Sequence, residues 1–231
     1  PEMLLIGNLW VMGGVVFPAF SSIQDRPDDL RRGFLASVRV VELFAVPICL
    51  GLLIAADPIV RVVFGDQWLE AIPVLRVLAL YAWFYSLGYH VGGFYKAIGR
   101  PDILLRLSLL TLVIIIPSLL IGARFGLIGV AVGHLVAVLI RRIISLAVAT
   151  RFVNVSIMDI FGELRSSLLG AMVMGPVTLA ITYLTSDLNP FLQLALIVLA
   201  GAISYLLALW GIEKENLLRL LRLVKIPHAS A

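Results

Sequence analysis

Long apolar stretches separated by short charged connections make up most of the chain. Seven of them carry no Asp, Glu, Lys or Arg: residues 3–24, 43–56, 77–95, 107–123, 125–140, 166–186 and 188–212. A charge at mid-bilayer costs at least about 2.5–3.5 kcal/mol, so such gaps mark segments that lie in lipid. The second gap is short for a span. Extended back to about Val38 it reaches the roughly 20 residues that cross a bilayer, and it then takes Glu42 into the inner end of the helix. Backbone groups in hydrocarbon must bond within their own segment, and nothing alternates in the manner of lipid-exposed barrel strands. The predicted fold class is therefore all-α, a polytopic integral membrane protein of about seven transmembrane helices.

Composition agrees and excludes a soluble domain. Of 231 residues 61% are hydrophobic and 14% charged, against about 25% charged in ordinary globular chains. Cys49 is the single cysteine, so neither a disulfide framework nor a thiolate metal cluster is available. The net charge of +4 would suit nucleic acid, but its placement gives another account. Alternate connections hold 15 of the 18 Lys and Arg residues; the opposite ones hold only Arg61, Arg76 and Arg124. That asymmetry predicts a cytoplasmic C-terminus. Nucleic acid is not needed to explain the charge, and anionic lipid headgroups are a further use for it. The chain opens on Pro1-Glu2 without an initiator Met or a basic n-region, which is read as the start of a fragment.

Two connections read as helices on the inner membrane surface. In residues 213–225, Arg219, Arg222 and Lys225 recur opposite Leu217, Leu218, Leu220, Leu221 and Val224; in residues 28–41, Leu30, Phe34, Val38 and Val41 form one stripe. Within the spans, Pro18, Pro47, Pro117 and Pro176 each remove a helical hydrogen bond. They are candidate hinges, with static kinks as the alternative. Gly88 with Gly92, and Gly129 with Gly133, have the four-residue spacing that lets helices approach closely.

The span from about Pro73 to Lys96 is the most polar and aromatic. Tyr81, Tyr85 and Tyr89 share one face, near His90. Aromatic faces with polar tips suit stacking on sugar rings, whereas a hydrogen bond to a neighbouring helix is the plainer account of a buried histidine, His134 included. Arg141 and Arg142 interrupt the fifth span. Their stems can snorkel to the inner surface, or at least one guanidinium can point into a cavity and grip a phosphate. Arg76 invites the same two readings, with Glu70 or Asp66 as possible partners. Glu42, three residues after Arg39, suggests a local ion pair. The sequon at Asn154-Val155-Ser156 falls on the inner side and is discounted. The sequence has no Gly-rich phosphate loop, clustered metal ligands or catalytic triad arrangement, so no metal, cofactor or catalytic residue is expected.

Four motifs carry a resemblance. Phe17-Pro18-Ala19-Phe20-Ser21 leads into a charged loop; Pro47-Ile48-Cys49-Leu50-Gly51-Leu52 runs to Val63-Phe64-Gly65-Asp66-Gln67-Trp68; then come Lys96-Ala97-Ile98-Gly99-Arg100-Pro101 and Phe125-Gly126-Leu127-Ile128-Gly129-Val130-Ala131. In this order and spacing, over residues 15–150, the chain resembles the lipid-linked oligosaccharide flippases of bacterial polysaccharide export. Their superfamily also contains the multidrug and toxin extrusion transporters and the lipid II flippases. The resemblance implies one lobe of a two-lobe flippase fold, the C-terminal one, with the N-terminal lobe absent. Residues 1–150 would be the five-helix core of that lobe, and 151–231 two further helices and a cytoplasmic amphipathic tail.

The resemblance further implies alternating access in a bacterial cytoplasmic membrane, moving an undecaprenyl-pyrophosphate-linked oligosaccharide. Membrane lipids, that substrate and other polysaccharide assembly proteins would be the partners. Pyrophosphate calls for positive charge and sugars for aromatic or hydroxyl surface, so Arg76, Tyr85, Tyr89, His90 and Arg141 are the cavity candidates. The alternatives are a multidrug or cation antiporter of the same fold, a membrane enzyme of polysaccharide assembly and a structural membrane module. An antiporter would be expected to use acidic residues deep in the membrane, and an enzyme a long outer loop.

Overall fold

The computed structural model describes the backbone of residues 20–224 and the side chains of residues 20–212 and Lys214. Most of the first apolar stretch, with Pro18, and most side chains of the basic tail lie outside the described residues. Several helices begin where the sequence removes or satisfies a free N–H group of the first turn. Helix α1, Pro27–Ile54, opens on a proline with Asp28 and Asp29 behind it. A short helix α2, Ala56–Val63, and a 3-10 segment, Asp66–Ala71, lead into α3, Ile72–Ser86, and α4, Val91–Ala97. Proline starts α5, Pro101–Ala123, and a glycine starts α6, Gly126–Val153. Helix α7, Ile157–Leu184, begins with a reciprocal cap: the Ser156 hydroxyl accepts from the Met158 N–H, and the Asp159 carboxylate accepts from the Ser156 N–H. Helix α8, Pro190–Val224, closes the described chain.

Six spans are long and apolar enough to cross a membrane: α1, the α3–α4 pair with its 3-10 lead-in, α5, α6, α7 and the first part of α8. Among the described residues there is no strand. The chain is an all-helical, multi-pass membrane protein. Neighbouring helices pack in the order α5, α6, α3, α1, α7, α8. Glycines at 99 and 126 have φ of +69° and +73°, a left-handed backbone that side chains disfavour. They reverse the chain into α5 and α6.

The outward faces of α5 and α8 show Leu109, Leu112, Val113, Leu120, Leu199 and Leu206, a surface that only lipid covers without cost. Where α5 meets α6 the backbones nearly touch. A methyl group on Gly129 would overlap the Gly122 carbonyl, and one on Gly133 the Ser118 carbonyl, so the Gly129/Gly133 spacing is a close helix crossing. The Gly88/Gly92 spacing is not. Gly88 lies against the Arg142 side chain, and Gly92 has open space where a methyl would stand.

Helix α1 departs from expectation in a way that matters later. Residues 28–41 are not a separate surface helix; they continue into the span as one 28-residue helix. Glu42 is therefore about 22 Å from its start and 18 Å from its end, near the middle rather than at an edge. Two ion pairs tie the charged end of α1 to α7: Arg31 with Asp159 at 2.9 Å and Arg39 with Glu163 at 3.9 Å. The helical path continues through Pro47, Pro117 and Pro176. Helix α8 likewise runs unbroken from its span to Val224.

Candidate functional site

The third span is broken. Between Ser86 and Val91 the regular ladder tightens: the Tyr89 N–H donates to the Ser86 carbonyl and the Val91 N–H to the Gly88 carbonyl, three residues back in each case. A side chain inserted into the ladder is a recognised cause of such a break, and here it is Arg142 from α6. Its Nη1 donates to the Gly88 carbonyl oxygen at 2.9 Å, and its guanidinium carbon stands 4.3 Å from the Tyr85 ring centroid. Glycine at 88 makes room for this contact, since a methyl there would lie 2.9 Å from both Cδ and Nη1 of Arg142 and the side chain would have to shift. The Arg142 Nε is buried without a hydrogen-bond partner.

Aromatic rings surround this contact. Tyr81 stacks on Tyr85 with centroids 5.9 Å apart, and His134 of α6 lies 4.5 Å from Tyr81. Tyr89 is half-buried within the same cluster. On the other side of the break His90 is 1% exposed, its ring 4.8 Å from Phe34 and both ring nitrogens without a partner. The Tyr95 hydroxyl donates to the Ser145 carbonyl at 3.0 Å, which fixes α4 to α6.

Glu42 approaches the same segment from α1 and is fully buried. Arg39 is not its partner. Trp83 Nε1 donates to Glu42 Oε2 at 3.1 Å, and the Ser86 hydroxyl is 2.8 Å from Glu42 Oε1 and 2.7 Å from the Trp83 carbonyl. One hydroxyl hydrogen thus faces two acceptors. Polar groups from α1 and α6 converge on residues 83–90.

The candidates named from sequence separate into groups. Tyr85, Tyr89 and His90 lie at the break. Arg141 is half-buried beside Arg142 with its Nε unpartnered, and its neighbour makes the contact to the break. Arg76 is exposed near the start of α3, about 13 Å along the helix from Tyr85, and has no ion pair among the described residues. Asp66 pairs instead with Arg61 at 2.8 Å, and Asp57 joins them at 3.0 Å. These carboxylates, Asp57 foremost, raise the Arg61 pKa above its ordinary value. Reading along the chain marks Arg142 and Glu42 as charges within or beside spans but not their partners, and it gives no role to Ser86 or Trp83. A separate apolar groove of about 540 Å³ runs between α1, α2, α7 and α8, lined by residues including Pro47, Met174 and Tyr205.

Comparison with known proteins agrees with this architecture. Residues 10–73 match a family model described as polysaccharide biosynthesis protein. The lipopolysaccharide biosynthesis protein WzxC of Escherichia coli is 36% identical over 132 residues, 57% of this chain and 27% of WzxC. The teichuronic acid biosynthesis protein TuaB of Bacillus subtilis is 26% identical over 211 residues, 90% of this chain and 44% of TuaB. Among solved structures, the lipid II flippase MurJ in its inward closed conformation matches with a TM-score of 0.68 at 21% identity, over 89% of this chain and 43% of that one. The chain spans less than half the length of these proteins. Over that part it is similar to membrane proteins of polysaccharide biosynthesis, and its helices have a MurJ-like fold.

Proposed function

We propose that the chain is one lobe of a flippase that carries an undecaprenyl-pyrophosphate-linked oligosaccharide across the bacterial cytoplasmic membrane by alternating access, with the C-terminus cytoplasmic. The observation that carries the reading is the broken span, whose tyrosine face meets a buried arginine in a MurJ-like fold. Interrupted helices are tolerated in lipid where they are covered by protein or line a cavity, and transporters place substrate sites at such interruptions. Tyr85 and Tyr89 offer ring faces to sugars, and Arg141 offers a guanidinium to the pyrophosphate. Arg142 positions the break, and Pro47, Pro117 and Pro176 are sites where helices could bend. The chain acts as a transporter lobe and not as an enzyme.

Full-length protein reconstituted in vesicles should move a fluorescent lipid-linked oligosaccharide from one leaflet to the other. Arg141→Ala is expected to lower that rate at normal protein level, with an unchanged rate counting against the headgroup role. A second reading has one observation in its favour. Glu42 is fully buried at mid-helix, as an acidic residue of a cation antiporter would be. If an organic cation is transported in these vesicles while the oligosaccharide lipid stays in place, the antiporter reading replaces the first.

A further inference from the structure

A second basic site lies away from the broken span, on the α5–α6 hairpin. Ile103, Leu107 and Leu110 of α5 and Ile144, Val148 and Phe152 of α6 enclose a groove of about 360 Å³, whose remaining lining residues are Arg100 and Arg106. Ile103 and Leu107 are buried, so the floor is apolar. From Arg100 to Leu110 the groove follows α5 for about 15 Å. It begins among the charged residues at the start of α5 and continues along the apolar residues that follow, which leaves room for an acyl chain beside a headgroup. Ile144 and Val148 sit about 200–240° around α6 from Arg142, so this slot and the tyrosine cluster are on different faces.

The two arginines are not equivalent. Arg100 is held by both oxygens of Asp102, at 3.0 and 3.2 Å, and lies 5.5 Å from the Phe152 ring centroid. Its charge is largely answered. Arg106 is exposed, about 7.5 Å along the helix from Pro101, and makes no hydrogen bond or salt bridge among the described residues. With one carboxylate, held by Arg100, for two guanidinium groups, the site keeps an unanswered positive charge on Arg106.

We propose that this groove binds an anionic glycerophospholipid of the surrounding bilayer, its phosphate on Arg106 and one acyl chain along Leu107, Leu110, Ile144 and Val148. The proposal rests on the membrane-spanning fold alone and is independent of the transported substrate. A basic pocket between membrane helices is a known form of lipid-headgroup recognition, and the fork of an arginine is suited to a phosphate. A zwitterionic lipid fits the apolar slot equally well but gains less from the net charge.

Native mass spectrometry of the full-length protein with added phosphatidylglycerol, phosphatidylcholine or undecaprenyl phosphate tests this. Phosphatidylglycerol should be retained over phosphatidylcholine. Arg106→Ala should weaken that retention about fivefold, the effect of one basic residue at an anionic headgroup; removing Arg100 and Asp102 together, a neutral pair, should weaken it by less than about twofold. Arg106→Lys should keep most of the preference, and Arg124→Ala, at the far end of α5, all of it. Val148→Trp fills the slot without removing a charge and should lower retention as well, which keeps the test decisive if Arg106→Ala folds poorly. Equal retention of the two phospholipids, an unaffected Arg106→Ala or Val148→Trp protein, or Arg106-dependent retention of undecaprenyl phosphate in place of phosphatidylglycerol would each overturn the proposal.

Discussion

Gly88→Ala should change sign as a mutation when Arg142 is removed. In the parent protein the new methyl would sit 2.9 Å from Cδ and Nη1 of Arg142, so the guanidinium must leave both the Gly88 carbonyl and the Tyr85 ring. A hydrogen bond from a charged donor contributes about 1.5–3 kcal/mol, and a cation over a ring about 0.5–2 kcal/mol. Against that, a helical Gly→Ala exchange gains about 0.5–1 kcal/mol by reducing unfolded-state freedom. The contacts win, and the expected net loss is about 2–3 kcal/mol. With Arg142→Ala already in place the same methyl meets no guanidinium, and only the gain of up to about 1 kcal/mol is left.

The double-mutant cycle therefore predicts an interaction energy of roughly 3 kcal/mol. For a domain of this size 1 kcal/mol moves Tm by about 2–4 °C. Gly88→Ala should lower the Tm of the parent by roughly 4–12 °C and raise that of Arg142→Ala by up to about 4 °C. Thermal unfolding in detergent, followed by far-ultraviolet circular dichroism, reads both shifts. Equal shifts of the same sign in the two backgrounds would show that Arg142 does not hold the break, and the positioning role assigned to it would fall.

Other substitutions separate neighbouring ideas. Glu42→Gln should stay within about 1 kcal/mol of the parent, because its amide can donate to Ser86 while its oxygen accepts from Trp83, whereas Glu42→Ala strands buried donors at about 1–3 kcal/mol each; a Glu42→Gln protein that melts as early as Glu42→Ala would refute the hydrogen-bond account. Gly129→Ala and Gly133→Ala should each destabilise the α5–α6 crossing by about 1–3 kcal/mol through overpacking, while Gly92→Ala, which meets open space, should be neutral or stabilising in the same thermal assay. Gly99→Val should cost more than 1 kcal/mol, roughly the strain of a branched residue at positive φ, and chemical denaturation that finds it neutral would argue against the turn at residue 99.

The spans were legible because lipid excludes charge so strongly that uncharged gaps outline them. Gap lengths report the hydrocarbon, not the helix. Residues 28–41 carry enough charge to look like a separate surface segment, yet nothing in them breaks a helix, so α1 runs through and places Glu42 near its centre. Partners were less legible than elements. Arg39 sits three residues from Glu42, but Ser86 and Trp83, more than 40 residues away, make the contacts, because the tertiary packing of α1 on α3 decides which groups meet. Arg141 and Arg142 differ by about 100° around one helix, and only the position of α3 selects the second for the break. Tyr85 and Tyr89 were readable from spacing alone, since a four-residue repeat fixes a shared face whatever packs against it.

The placement of costly groups supplies the stronger argument for where the lobe works. A buried charged side chain is costly unless it is hydrogen-bonded, and a bundle selected only for stability would replace Glu42 and Arg142 with apolar residues of similar volume. Both approach one eight-residue stretch, residues 83–90, from helices on opposite sides of α3. His90 adds a third buried polar group there with neither nitrogen bonded. Three costly groups meet at a single helix break, where the Gly88 carbonyl accepts from both the Val91 N–H and Arg142 Nη1 and the Arg142 side chain fills the space a methyl at 88 would take. Under the proposed alternating access, a regular helix without the Arg142 contact and a broken helix with it are the two arrangements this segment would exchange. The Gly88 and Arg142 cycle measures how strongly the two positions are coupled. A transport defect in Arg142→Ala that Gly88→Ala fails to relieve, despite restored stability, would locate the alternation at this break.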